Sequence, residues 1–285
     1  MNVLTTFFEV CGQEYHSVMG KCLKSLAELR SSANFTLTNE LDYVIGKAIR
    51  TMGPEIVIKY IPLPDYGAEE SYDFPRSWLL PVLRENIQNA NLSFFKVSLG
   101  CSFLSYINCK KIFIIFFFKA YFLPKAMSCQ LRADRANQEN DKIGQKSCEM
   151  LVHQIWSLLP GFCNNPKDLK ESFGDIVKEM GKNLQNRKDL RMYILASLRQ
   201  LILKNLENEV NKEVLSQWAK KFLDTMCTLY IKRPGIVPYI ALSTFSTVFI
   251  ENSILKIFLK NYFQKEQKNP DKDFPSWKRL DYSCN

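Results

Sequence analysis

An all-α fold of stacked antiparallel helices is what this 285-residue sequence predicts. Three observations predict it. Apolar residues recur at helical spacing along most of the chain. Prolines fall mostly between those stretches rather than inside them. The starts of successive stripes in the second half, Lys167, Asp189 and Glu213, lie 22 and 24 residues apart, so a helix pair recurs at roughly 45 residues. That period belongs to a HEAT/armadillo-type α-solenoid of antiparallel helix pairs, in which each pair buries its face only by stacking on its neighbours. The same spacing also suits a helical bundle, and the long run of helices without strand signals favours the solenoid.

The elements follow in order. Residues 2–13 and 15–31 read as two helices, the second with Val18, Cys22, Leu23, Leu26 and Leu29 on one face. A third begins at Thr38, a good cap, with Leu41, Val44, Ile45 and Ile49 as its stripe. Gly53-Pro54-Glu55 ends that helix and opens the next, since proline suits the first helical position. After the loop Pro62 to Gly67, Asp73 is placed to cap a helix running to about Asn89, with Trp78, Val82, Leu83 and Ile87 inward and Pro81 near its start.

A helical face at Cys148, Leu151, Val152, Ile155, Trp156 and Leu159 runs into Pro160-Gly161, where proline should stop the helix and glycine take a left-handed cap. Three more stripes follow: Leu169, Phe173, Ile176, Val177, Met180 and Leu184; then Leu190, Ile194, Leu195, Leu198, Leu201 and Ile202; then Leu215, Trp218, Phe222, Met226 and Leu229.

Composition sets the outer limits. Hydrophobic residues make up 46% and charged residues 24%, which is enough to build a large core. Formal net charge is +9, which permits binding to polyanions and equally suits a lysine-rich solvated surface. Nine cysteines without a Cys-x-x-Cys pair, and only two histidines, point to reduced thiols in an intracellular compartment and away from zinc. The first residues lack the basic start of a signal peptide.

Residues 97–119 break the pattern. Lys110-Lys111 interrupt any transmembrane reading, because the longest apolar run, Ile112 to Phe118, is too short to span a bilayer. A buried strand fits its β-forming residues but would have no partner in a helical chain; the alternative is an insertion or a translated intron. Lys96-Val97-Ser98 can be encoded by a splice donor, and Ile114 to Lys119 by a pyrimidine tract ending in an acceptor. Without it, Phe94-Phe95-Lys96 joins Ala120-Tyr121-Phe122 in an apolar helix start. The chain then divides into helical repeats at 1–96, the insertion at 97–119, helical repeats at 120–264 and a basic polar tail at 265–285.

Chemistry-bearing motifs are absent: there is no phosphate-binding glycine loop, nucleophile elbow or His-Glu-x-x-His. Glu149 and His153 stand four apart on a helix and form the one pair a helical metalloenzyme could use; a surface contact explains them as well. Arg76, beside Trp78, is a candidate binding contact. The expectation is a protein that is not an enzyme, with no cofactor, metal, small-molecule substrate or membrane.

Gly53-Pro54-Glu55, Asp73-Phe74-Pro75-Arg76-Ser77-Trp78-Leu79-Leu80-Pro81, Tyr121-Phe122-Leu123-Pro124 and Trp156-Ser157-Leu158-Leu159-Pro160-Gly161-Phe162-Cys163, with Pro166 and Asp168, resemble the ribosomal RNA-processing protein 12 (RRP12-like) family. The resemblance extends to about residue 230 and makes the chain similar to an internal fragment of much longer HEAT-repeat proteins. It implies a nuclear and nucleolar ribosome-biogenesis factor that associates with pre-ribosomal particles and rRNA, assists nuclear export, and contacts Ran and nucleoporin repeats. Missing flanking repeats would leave apolar faces uncovered. If RNA is bound, Lys170, Lys178, Lys182, Arg187, Lys188 and Arg191 are the candidate contacts. The alternative is a karyopherin-like, protein-only scaffold or transport adaptor.

Overall fold

The computed structural model describes residues 2–12, 14–66, 72, 74–95, 121–205 and 208–232, and among them every regular element is helical. The helices are α1 Asn2–Cys11, α2 His16–Arg30, α3 Thr38–Met52, α4 Pro54–Tyr60, α5 Leu79–Asn86 and α6 Leu92–Phe95. They continue as α7 Phe122–Gln138, α8 Lys142–Trp156, α9 Leu159–Phe162, α10 Leu169–Asn186, α11 Arg191–Asn205 and α12 Glu209–Lys232, with a 3₁₀ turn at Lys188–Leu190. Expectations for Asp73, 97–119 and 233–285 fall outside the described residues.

Alternate helices pack on one another: α1 on α3 and α3 on α5 form one row, α2 on α4 another, and α9–α11 and α10–α12 repeat the arrangement. Such next-but-one stacking is how a solenoid buries faces that no single helix pair can cover. The most extensive pairing joins α7 and α8, neighbours across a turn in which Asn140 takes φ 59.

Most apolar stripes are buried as the spacing predicts. Leu41, Val44, Ile45 and Ile49 are fully enclosed, as are Cys148, Ile155 and Leu159. α10 buries all six of its expected residues, Leu169, Phe173, Ile176, Val177, Met180 and Leu184. The next stripe holds as well, with Leu195 half-buried. On α12, Phe222 is buried and Leu215 and Trp218 are half-buried. The starts of α10, α11 and α12 are 22 and 18 residues apart, a shorter pair than the 45-residue estimate, because α12 begins at Glu209 rather than Glu213 and α10 at Leu169 rather than Lys167.

Four local expectations need correction. On α2 the buried face is Met19, Gly20, Leu23, Leu26 and Ala27, while Val18 and Leu29 are exposed. Gly20 sets that register, because any Cβ there would collide with the Tyr60 ring of α4. Thr38 is the first helical residue rather than the cap, and the cap position falls to Leu37. The α8 helix ends at Trp156, before Pro160, and Pro160 is the second residue of the short α9. Gly161 does not adopt a left-handed conformation; its missing side chain admits Ile87, whose Cβ would stand 2.9 Å from an added Cβ.

Gly53 does what its position demands. Its φ of 89° and ψ of 152° suit glycine alone, and Pro54 follows as the first residue of α4. Val3, Val10 and Val18 are each more than 60% exposed, leaving an apolar face on α1 and α2.

Candidate nucleic-acid interface

The six basic candidates surround α10 and the turn that follows it. Lys170, Lys178, Lys182 and Lys188 project into solvent. Lys178 lies 3.8 Å from Asp175, an exposed pairing of little energetic weight. The α10 helix carries these first three lysines beside Glu171, Asp175 and Glu179, so its charges balance.

The two arginines are engaged internally. Arg187 makes a two-pronged contact with Asp189, Nε to Oδ1 at 2.9 Å and Nη2 to Oδ2 at 2.6 Å, and donates through Nη1 to Gln130 Oε1 at 2.7 Å. That fork ties the α10–α11 turn to α7. Hydrogen bonding from Arg187 outweighs burial and holds the Asp189 carboxyl below its ordinary range. Arg191 donates to the Leu184 and Gln185 carbonyls at 2.9 and 3.1 Å, closing the C-terminal end of α10.

The surplus of positive charge is unevenly placed. Residues 1–96 hold nine basic and eleven acidic side chains, and residues 120–232 hold eighteen and thirteen. The stretches 97–119 and 233–285 add three against none and eight against five. Two thirds of the net +9 therefore lies outside the repeats that the structure describes.

Glu149 and His153 meet separate partners. Glu149 accepts from Gln145 Nε2 at 2.9 Å, while His153 Nε2 sits 3.5 Å from Asp189 and its ring meets Tyr193 edge-on. Among the described residues no group of three His, Cys, Asp or Glu is placed to hold a metal, and no helix is long and apolar enough to cross a membrane. Arg76 does not stack on Trp78. It adopts φ 62° and donates to the Pro62 carbonyl at 2.9 Å, while Arg30, paired with Asp42, lies over the Trp78 ring at 5.2 Å.

The dense polar chemistry is a joint between the two halves of the repeat stack. Asp168 reaches across the fold to accept the Leu92 and Ser93 amides at 2.5 and 3.0 Å and the Ser172 hydroxyl at 2.7 Å. It therefore caps α6, a helix some 75 residues away, rather than the α10 helix that it precedes. Burial would raise its pKa, but hydrogen bonds from Ser93, Ser172 and the Leu92 amide outweigh that and hold the carboxyl below its ordinary range.

Around this cap, Asn89 N–H donates to the Asn164 carbonyl and Lys167 N–H to the Ala90 carbonyl, while Glu55 accepts the Asn91 amide. Arg132, only 6% exposed, donates to the Tyr66 carbonyl at 2.8 Å and lies over the Tyr72 and Phe74 rings at 4.5 and 5.7 Å. Tyr121 both donates to and accepts from the Leu63 backbone, and burial pushes its hydroxyl up to about 12. Sequence spacing held no signal for Asp168 or Arg132 in these roles, because their partners lie far away in the chain.

From the strings that carry the family resemblance, Glu55, Phe74, Tyr121 and Asp168 take part in this joint, and comparison with known proteins agrees with the resemblance. The family model described as "Ribosomal RNA-processing protein 12, HEAT repeats" matches residues 1–101 and 113–233. The human RRP12-like protein is 38% identical over 230 residues, covering 81% of this chain and 16% of the human protein. The chicken RRP12-like protein is 37% identical over the same shares. Ribosomal RNA-processing protein 12 of Saccharomyces cerevisiae is 32% identical over 171 residues, 60% of this chain and 12% of the yeast protein. The chain thus spans about a sixth of the length of its human and chicken relatives. It belongs to the ribosomal RNA-processing protein 12 family, and its helices are part of that family's HEAT-repeat solenoid.

Proposed function

We propose that this chain serves ribosomal RNA maturation as a non-enzymatic helical scaffold, working in the nucleus and nucleolus as part of pre-ribosomal particles. Family membership carries the proposal: the matching residues build helix packing, capping and the joint between the two halves. Contacts with rRNA would fall to the exposed Lys170, Lys178, Lys182 and Lys188. Arg187 and Arg191 would support that surface from beneath. Assistance to subunit export, and contacts with Ran and nucleoporin repeats, belong to the proposal on the family resemblance alone.

A second reading, a protein-only adaptor, is favoured by the balanced charge of α10 and by the internal engagement of both arginines. Sedimentation of the tagged protein from nuclear extract, with and without RNase, separates the two. The RNA-contacting reading expects co-migration with large particles that is lost on RNase treatment and falls steeply with salt. Association that survives nuclease and high salt would install the adaptor reading instead. Migration at the top of the gradient under every condition would overturn both.

A further inference from the structure

Helix α6 ends at Phe95 and α7 begins at Phe122, with residues 96–120 outside the described structure. The two helix ends meet in a specific way. The Tyr121 amide donates to the Phe94 carbonyl at 2.9 Å. The Phe94 and Tyr121 rings stack, centroids 5.4 Å apart and planes 5° from parallel. Phe95 and Phe122 stack likewise at 6.2 Å and 23°.

These contacts carry a count. An α-helix bonds each amide to the carbonyl four residues earlier, and side chains four apart lie on one face. Phe94 and Tyr121 are 27 apart in the chain, and so are Phe95 and Phe122. One backbone bond and two ring pairs therefore behave as though 23 of the intervening residues were absent. Residues 97–119 number 23. The splice-like borders at Lys96-Val97-Ser98 and Phe118-Lys119 thus enclose the number of residues that the helical register requires. The family match also breaks at 102–112, inside the same segment.

The capping of α6 points the same way. A four-residue helix has almost no stability of its own. Yet α6 receives a carboxylate cap on two amides from Asp168, and Glu55 takes the amide just before it. Such a terminus suits the start of a long helix. Joined without 97–119, Leu92 to Gln138 makes a helix of 24 residues. Pro124 falls inside that helix and removes its bond to residue 120, so the joined helix bends there. The φ of −116° at Tyr121 marks the bend.

We propose that α6 and α7 are one proline-bent helix interrupted by a 23-residue insertion, and that residues 97–119 are the translation of a retained intron. The functional chain runs from Lys96 directly to Ala120. Because 23 codons preserve the reading frame, retention yields a full-length product rather than a truncated one.

Two measurements test this, and each can overturn it. Genomic and transcript reads across the segment should show messages that join codon 96 to codon 120; transcripts that all retain the segment overturn the intron. In parallel, the full chain, a Δ97–119 variant and a Δ97–118 variant are compared by circular dichroism and thermal unfolding. Removing 23 residues should hold or raise Tm. Removing 22 turns α7 by about 100° relative to α6 and should melt several degrees lower. Equal stability of the two deletions, or a Δ97–119 chain that melts below the full one, overturns the register.

Discussion

Replacing Asp168 with alanine should weaken the fold far more than a residue at the head of one helix ordinarily does. The substitution removes an acceptor shared by the Leu92 amide, the Ser93 amide and the Ser172 hydroxyl. Loss of a helix cap costs about 0.5–2 kcal/mol, and a buried donor left without a partner adds about 1–3. Leu92 is fully buried, so both contributions apply, and the expected loss is about 2–4 kcal/mol. For a chain of this size that is a fall in Tm of roughly 5–12 °C.

Denaturant titration followed by circular dichroism reads the loss, with Ser172→Ala as a control that removes one donor and should cost about 1 kcal/mol or less. The pH dependence has a definite sign. The Asp168 carboxyl is held below its ordinary range in the folded chain, so its contribution is present above the unfolded pKa near 4 and is lost as pH falls through the folded value. The gap between the parent and Asp168→Asn should therefore be constant from about pH 7 to 5 and close below about 4. An Asp168→Ala chain that melts within about 1 °C of the parent, or a parent–Asn gap unchanged at low pH, would refute the reasoning.

Other expectations follow from single side chains. Arg132→Met should cost about 2–4 kcal/mol by removing the donor to the Tyr66 carbonyl and the cation over Tyr72 and Phe74; Arg132→Lys should not rescue it, and urea unfolding reads both. Gly181 lies inside α10 with nothing within 4 Å of an added Cβ, so Gly181→Ala should stabilise by about 0.5–1 kcal/mol. Gly53→Ala, at φ 89°, should instead destabilise by about 1–3 kcal/mol, and a thermal melt separates the two signs. Burial pushes the Cys129 thiol up to about 12 and those of Cys148 and Cys163 upward as well. Peptide mass spectrometry after alkylation at about pH 8 should find these three unlabelled until the chain is unfolded, with the less buried Cys11 labelled before them.

What could be read from the sequence, and what could not, divides by distance along the chain. The stripes of α3, α8 and α10 are local patterns, set by which residues fall on one face of a helix, and the structure buries them as expected. Gly53-Pro54 is equally local. The reading fails where a distant residue decides. Val18 looks inward by spacing, but Gly20 must face Tyr60, and that rotates α2. Gly161 looks like a helix cap, yet its small size serves Ile87, more than 70 residues earlier. The left-handed positions fall to Arg76, Asn89, Asn140 and Asn165, which carry no sign of it in their neighbours.

The candidate interface shows the same division. Lysine exposure on α10 follows from periodicity, whereas the burial of Arg187 and Arg191 in bonds depends on Gln130 and on the end of α10.

The Asp168 cap also closes a ring of chain. Leu92 and Asp168 are 76 positions apart, and residues 97–119 make up 23 of them. The entropy of closing a flexible ring grows only with the logarithm of its length, so lengthening it from 53 to 76 costs about 0.3 kcal/mol. That difference is smaller than the thermal energy. If residues 97–119 are the insertion proposed above, the Asp168 clasp closes a ring whose polymer statistics barely change with or without them.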